Sequence, residues 1–122
     1  MALHNELGAA GEERAVRFLE EKGYQVLSRN WHGGHKELDI IALDGETLVV
    51  AEVKTRSGMA PLSDLTQMVT PVKINRLVSA ANRYVQKHGI DLRVRFDVLF
   101  LRCFDGHWSI DHIEDAFDAP LR

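Results

Sequence analysis

Three charged residues stand inside a strongly hydrophobic stretch of the chain, and their types and spacing suit metal-assisted hydrolysis. They are Asp39, Glu52 and Lys54. Burying an unpaired carboxylate is costly, so we expect these groups to serve one another or a ligand. Two carboxylates with room for water suit Mg²⁺ or Mn²⁺. A lysine beside them can orient a water or stabilise charge on a phosphate.

A hairpin would bring the three charged groups together. Asp44-Gly45 separates two aliphatic runs, and this is a strong local signal for a hairpin between strands at residues 38–43 and 47–54. Both runs are so rich in Ile, Val and Leu that we expect them to be buried on both faces, in a sheet covered by helices.

Alternation along a strand places Glu52 and Lys54 on one face and Val53 on the other. In the antiparallel hairpin Asp39 should lie near the Glu52 end, which gives two carboxylates and one ammonium on one patch. The alternative is a buried ion-pair network without chemistry, and the hairpin pattern alone leaves both interpretations open.

The elements before the hairpin contain one further acid whose role the pattern leaves open. Residues 5–22 are predicted to form a helix capped by Asn5 and ended by Gly23. Glu12 falls at the border of its apolar face, and periodicity does not decide between an edge residue that reaches water and one that faces a cation. A strand is expected at 24–30, followed by a loop at 31–36.

Two histidines in that loop raise the question of zinc. His32 and His35 have no second His or Cys pair at zinc-like spacing, so a zinc site is not expected. A second loop is predicted at residues 55–58, carrying the cation Arg56, and a short helical turn at 62–69.

A second long helix follows, from Thr70-Pro71 as cap and first turn to His88, with Gly89 as terminator. No acidic residue occurs between positions 65 and 90. One face is apolar, and a separate cationic stripe contains Lys73, Arg76, Arg83 and Lys87. Such a stripe can follow a phosphate backbone. It could also be an ordinary solvated surface; membrane binding is less favoured because the core needs the apolar face.

The last third predicts strands at 92–102 and 107–113 joined by Asp105-Gly106, then a frayed tail with a short acidic turn at 114–122. Asp97 interrupts an apolar run and is expected to pair with Arg95 or a helix cation. The order of elements predicts an α/β fold with a central mixed sheet and a long helix on each side.

Composition narrows the classes of protein. The 122 residues are 45% hydrophobic and 27% charged, which is typical of a single globular domain, residues 1–122. The chain has no transmembrane-length apolar run and no signal-peptide pattern, and its lone Cys103 fits the reducing cytoplasm. The net charge of -3 argues against a generic basic coat protein for nucleic acid.

Taken together, these residues resemble the YraN family of bacterial proteins, which are grouped with predicted endonucleases of the PD-(D/E)xK superfamily. The resemblance runs from about residue 5 to residue 117. The matching positions are Gly8, Gly11, Glu12, Gly23-Tyr24, Arg29-Asn30, Glu37 to Ile41, Glu52 to Arg56, Lys73 and Arg95 to Val98. It implies a three-layer restriction-endonuclease-like fold and similarity to archaeal Holliday-junction resolvases, which also place a glutamate on the first helix.

The resemblance implies a role for each residue. Asp39, Glu52 and the Val53 carbonyl would hold Mg²⁺ or Mn²⁺, Lys54 would serve the attacking water, and Glu12 would hold a second metal or orient a water. The expected phosphate contacts are Arg56, Lys73, Arg76, Arg83 and Lys36. Lys36 occupies a position where the family usually has glycine, and Ala51 is smaller than the residue expected there.

The function implied is a metal-dependent endonuclease that cleaves DNA, including branched structures. The main alternative is a non-catalytic nucleic-acid-binding module on the same fold, since fold does not fix function. A protein-interaction subunit is a third hypothesis. A homodimer is a further hypothesis, because a two-fold dimer would make two cuts on a symmetric junction.

Overall fold

The computed structural model describes residues 2–34, 36–59, 61 and 69–117, with the side chains of residues 2–5 and 36 outside that description. Two helices and five strands lie in these ranges. In chain order they are α1 (Ala2–Glu21), β1 (Gln25–Gly33), β2 (Lys36–Asp44), β3 (Thr47–Ser57), α2 (Pro71–His88), β4 (Arg93–Phe104) and β5 (His107–Ile113).

The five strands form one mixed sheet in the order β1-β2-β3-β4-β5. Neighbours are antiparallel except β3 and β4, which run parallel, so α2 lies in the crossover between them. The helices cover opposite faces of the sheet. This arrangement confirms the predicted three-layer α/β fold. In the part of the chain that the structure describes, neither helix is long and apolar enough to cross a bilayer.

The central strands are buried on both faces, as the aliphatic runs predict. Ile40 and Val49 belong to the core beneath α1, while the adjacent Ile41 and Val50 belong to the core beneath α2. All four side chains are at most 2% exposed. Alternation along β2 and β3 therefore feeds two separate cores from one hairpin.

The predicted ends of α2 and the second hairpin turn are confirmed. The Thr70 side chain accepts a hydrogen bond from the Lys73 amide at 3.3 Å, and Pro71 occupies the first turn. Gly89 ends the helix in the left-handed conformation. Asp105 and Gly106 join β4 to β5, both with positive φ, as a tight two-residue hairpin turn requires.

The start of α1 differs from the prediction. The helix begins at Ala2, so Asn5 lies inside it and does not cap it. No helix breaker precedes Asn5, and its neighbours Ala2, Leu3 and His4 are compatible with helix, so nothing stops the helix there. The predicted C-terminal stop is confirmed, because Gly23 has a φ of +94° and its amide donates to the Glu20 carbonyl.

Parts of two predicted loops are strand. Residues 31–36 were expected to form a loop, but β1 continues to Gly33, which pairs with Lys36. Trp31 packs edge-on against Tyr84 of α2 at 5.2 Å between ring centroids, which holds the strand on the core. Likewise β3 runs on to Ser57, because its parallel ladder with β4 continues that far.

Residues 116 and 117 differ from the frayed tail that was predicted. They follow the acidic turn at residues 114–115, which is present, and both contact β4. The Ala116 amide donates to the Phe96 carbonyl at 2.7 Å, and Phe117 stacks on Phe96. The rest of the tail, 118–122, and the helical turn predicted at 62–69, apart from Val69, lie outside the described residues.

Candidate active site

The site is built where β2 and β3 part. Their ladder ends at the pair Ile40–Ala51, and Asp39 is the next residue of β2. In place of a main-chain partner, the Val53 amide donates to Asp39 Oδ2 at 2.8 Å. Because N–H and C=O of one strand residue point to the same side, the Val53 carbonyl also faces this opening. We call the opening the fork.

Asp39 and Glu52 meet at the fork, as the hairpin predicts. Their carboxyl groups share a hydrogen bond, and the charge of Asp39 disfavours ionisation of Glu52. Burial, followed by the charge of Asp39, raises the pKa of Glu52 to about 8. Burial also raises the pKa of Asp39. The metal-free pair therefore favours sharing one proton at neutral pH, and a divalent cation in that place would relieve the repulsion.

Two cavities open on either side of Asp39. The first, here the α2 cavity, is about 290 Å³ and is lined by Glu37, Asp39, Glu52, Lys73, Arg76 and Leu77. The second, here the α1 cavity, is about 440 Å³, and its lining includes Glu12, Asn30, Asp39, Val53, Lys54 and Thr55. Asp39 and Glu37 thus border both cavities, and each cavity has a long helix as a wall.

Lys54 lies in the α1 cavity and interacts with both acids of the fork. Burial lowers the pKa of its ammonium, and the charges of Arg56 and Lys73 lower it further. The carboxylates of Glu52 and Asp39 oppose that shift. The ammonium is therefore held between cations and anions.

Glu12 reaches the same cavity from α1. Its Oε1 accepts a hydrogen bond from Asn30 Nδ2 at 2.7 Å and lies 3.9 Å from Arg29 Nη2. Its charge contributes to the raised pKa of Asp39, after burial. The side chain is 18% exposed, so it neither snorkels away nor lies in the apolar core.

The candidate phosphate-binding cations differ in their position relative to the fork. Lys73 and Arg76 line the α2 cavity. The exposed Arg83 lies further along α2, beside Gly34 in the turn between β1 and β2. Arg56 lies on β3 near Lys54, since its charge acts on that ammonium. The side chain of Lys36 falls outside the described residues.

The donor set at the fork suits a hard cation that keeps its waters. Mg²⁺ is commonly bound by one or two carboxylates, with water completing the octahedron. Two carboxylates and a main-chain carbonyl meet that need. Across the ranges that the structure describes, no three His, Cys, Asp or Glu side chains gather closely enough to hold a metal by themselves. His32 lies on β1, and its Nδ1 is 3.7 Å from Glu37 Oε2.

Comparison with known proteins agrees with the family resemblance that the residues quoted above indicate. The model of the uncharacterised protein family UPF0102 matches residues 11–101. The chain belongs to this family. UPF0102 is the YraN family, so the resemblance drawn from the sequence is confirmed.

UPF0102 relatives match the chain over its full length. A UPF0102 protein of Parabacteroides distasonis is 49% identical and covers 100% of both chains. One from Bacteroides thetaiotaomicron is 48% identical over 99% of each chain, and one from Phocaeicola vulgatus is 44% identical over 99% of each. The relatives are thus similar in length as well as in sequence.

Two residues of the candidate site received no role from the sequence. Glu37 lines both cavities, and its charge raises the pKa of both Asp39 and Glu52 after larger causes. Its position two residues before Asp39 was the available signal, because such residues share a strand face. Asn30 lines the α1 cavity, and only the strand pairing and its contact with Glu12 reveal its role.

Asp97 has the structural role expected of it. Arg95 donates two hydrogen bonds of 2.9 Å to its carboxylate, and His112 Nε2 lies 2.7 Å from Oδ2. The pairing with Arg95 is confirmed. These groups lie on β4 and β5, and among the described residues none of them lines either cavity of the fork.

Proposed function

We propose that this UPF0102 chain is a Mg²⁺-dependent DNA endonuclease of the cytoplasm that hydrolyses phosphodiester bonds, including those of branched or junction DNA. One observation carries the proposal: the paired acids of the fork open into a cavity whose other wall is the cationic helix α2. A phosphate that approaches along α2 would meet Lys73 and Arg76 before it reaches Asp39 and Glu52.

Asp39, Glu52 and the Val53 carbonyl would hold the cation. The cation would supply Lewis-acid stabilisation of phosphoryl charge and activation of water. The chain places its ligands before the cation binds: the Val53 amide fixes Asp39, and Glu52 lies beside it through a shared proton that the cation would replace. Preorganised ligands avoid much of the cost of reorganisation on binding.

Lys54 would orient the attacking water and stabilise the charge that builds on the pentacovalent phosphorus. It lies on the strand that carries Glu52, two residues on, and shares a cavity with Asp39. Glu12 would orient a water or hold a second cation from the opposite wall. Each role requires only that the side chain of Lys54 or Glu12 stay in the cavity that it now lines.

Five cations would bind the DNA backbone: Lys73, Arg76, Arg83, Arg56 and Lys36. Lys73 and Arg76 would contact the phosphates nearest the cleaved bond because they line the α2 cavity. Arg83 would contact a phosphate further along the strand. Binding through such contacts weakens steeply as salt rises.

Metal binding provides the first test. Calorimetry should show that Mn²⁺ binds the wild-type protein and does not bind the double variant Asp39→Asn, Glu52→Gln. The matched control is Glu20→Gln, Glu21→Gln, which removes two exposed carboxylates from the end of α1 and should leave Mn²⁺ affinity unchanged.

Cleavage completes the test. With Mn²⁺ or Mg²⁺ the wild type should cut a four-way junction, flap or single-stranded DNA, and Lys54→Ala should bind the same DNA while cleaving at least about a hundredfold more slowly. Metal-independent DNA binding that only falls with salt, with no cleavage of any substrate, would contradict the nuclease and support the binding module.

A further inference from the structure

Asn30 lines the α1 cavity and combines a left-handed backbone with a side chain that hydrogen-bonds to α1. Its φ is +49°, in the left-handed region that most residues other than glycine avoid. Asparagine is among the few side chains that tolerate this conformation. The ladder pairs Arg29 with Ile40 and Trp31 with Leu38, so Asn30 lies across from Asp39.

The side chain of Asn30 reaches away from the sheet to α1. Its amide nitrogen donates to Glu12 Oε1 at 2.7 Å. The competing partner for that carboxylate is Arg29, whose Nη2 lies 3.9 Å from the same oxygen and 3.1 Å from Glu13 Oε1. Without the amide, Glu12 could turn toward the arginine and away from the cavity.

We propose that Asn30 is a positioning residue that holds Glu12 toward Asp39, so that acids from α1 and from the sheet face one cavity; this inference rests on the proposed nuclease function. The amide is a neutral donor, so it fixes the carboxylate without cancelling its charge, whereas Arg29 would neutralise it. Outer partners of metal-site carboxylates act in this way, and their loss typically lowers metal affinity or activity about 10- to 100-fold.

The experiment separates the amide from the backbone. Asn30→Gly keeps the left-handed conformation and removes the donor. It should unfold at the wild-type temperature, bind Mn²⁺ about tenfold more weakly, and lower kcat on DNA while KM changes little. The matched control is Asp105→Gly, which replaces another residue of positive φ, in the β4–β5 turn, and should leave all four quantities unchanged.

A double-variant cycle shows whether Asn30 acts through Glu12. Asn30→Gly combined with Glu12→Gln should bind Mn²⁺ no more weakly than Glu12→Gln alone. Additive losses would overturn the inference, because Asn30 would then act independently of Glu12. Wild-type Mn²⁺ affinity and kcat in Asn30→Gly would also overturn it and leave the nuclease proposal standing. Only a wild type that neither binds Mn²⁺ nor cleaves DNA would overturn both.

Discussion

At the scale of single residues, the acid pair of the fork costs the metal-free protein stability. Glu52 is largely removed from water and stands beside Asp39, and together these raise its pKa to about 8. A group whose pKa rises on folding contributes stability that is fully present below its unfolded pKa and is lost as the pH rises through its folded pKa. Carboxyl groups with pKa values perturbed in this way are concentrated at functional sites.

We predict that Glu52→Gln stabilises the metal-free protein in alkali. In the wild type, stability should fall as the pH rises from about 4.5 to about 8, because the folded state resists ionisation of Glu52. Glutamine can still donate to Asp39 and never ionises. At pH 9 and with a chelator present, its free energy of unfolding should exceed the wild-type value by more than about 1 kcal/mol.

The measurement is urea unfolding of both proteins at pH 5 and pH 9. The difference should be small at pH 5 and large at pH 9, and Glu20→Gln, an exposed substitution on α1, should show none at either pH. A difference of the same size at both pH values would mean that packing, and not ionisation, separates the two proteins.

At the scale of elements, one glycine sets how closely α1 approaches the sheet. Gly11 faces Thr55 of β3, and a β-carbon added there would collide with Thr55 Oγ1 and lie 2.9 Å from Cγ2. Gly8, one turn earlier, has no such neighbour within 4 Å. Since Glu12 directly follows Gly11, the same contact fixes the depth of that carboxylate in the α1 cavity.

We predict opposite effects at these two glycines. Gly11→Ala should destabilise the protein by about 1–3 kcal/mol, because α1 must move away from β3. Gly8→Ala should be neutral or stabilise by up to about 1 kcal/mol, since alanine favours helix and meets open space. Urea unfolding measures both.

A second substitution identifies the cause at position 11. Thr55→Ala removes the atoms in the way and should recover part of the loss when it is combined with Gly11→Ala. If the double variant is as unstable as the sum of the two single changes, the Gly11–Thr55 contact does not set the spacing of α1.

Which elements could be predicted follows from the range of the interactions that define them. The ends of α2 and the turn at Asp105-Gly106 depend on residues a few positions apart, so local sequence was enough. The lengths of β1 and β3 depend on partners that are distant in the chain. The strand at 31–33 persists because of Tyr84, some fifty positions away, and no local pattern shows it.

The candidate site divides in the same way. Asp39 and Glu52 could be brought together from the sequence, because a hairpin turn and strand alternation relate them directly. Glu12 needed the family resemblance, since its periodicity was ambiguous. Asn30 was among the family-matching positions, but its role could not be found, because that role depends on a left-handed backbone and a contact between β1 and α1.

At the scale of the whole molecule, a buried network on β4 and β5 joins segments from both ends of the chain. Asp97 has no exposed side-chain surface and accepts hydrogen bonds from Arg95, His112 and the Asp115 amide. Arg95 also binds Tyr24 at 2.7 Å and Asp44 at 3.0 Å. The network therefore fastens the start of β1, the turn between β2 and β3, and the C-terminal turn to one point.

We predict that Asp97→Asn lowers the free energy of unfolding by about 3–5 kcal/mol at pH 7, because it deprives the largely buried Arg95 of its fully buried anion. Asp44→Asn removes a half-exposed partner of the same arginine and should cost less than about 1 kcal/mol. Urea unfolding of the three proteins gives both numbers. Equal losses in the two variants would show that burial of Asp97 is not what makes the network stabilising.

The pH dependence of the free energy of unfolding gives a second, independent test of the same two variants. Burial alone would raise the pKa of Asp97, but hydrogen bonds from His112, Arg95 and the Asp115 amide lower it to about 2. Its stabilisation is therefore complete above the unfolded pKa of about 3.8 and is lost as the pH falls through about 2. The gap in stability between wild type and Asp97→Asn should accordingly narrow below pH 4, whereas the gap for Asp44→Asn should stay small throughout. A gap for Asp97→Asn that stays constant down to pH 2 would place the effect in packing and not in the charge of this carboxylate.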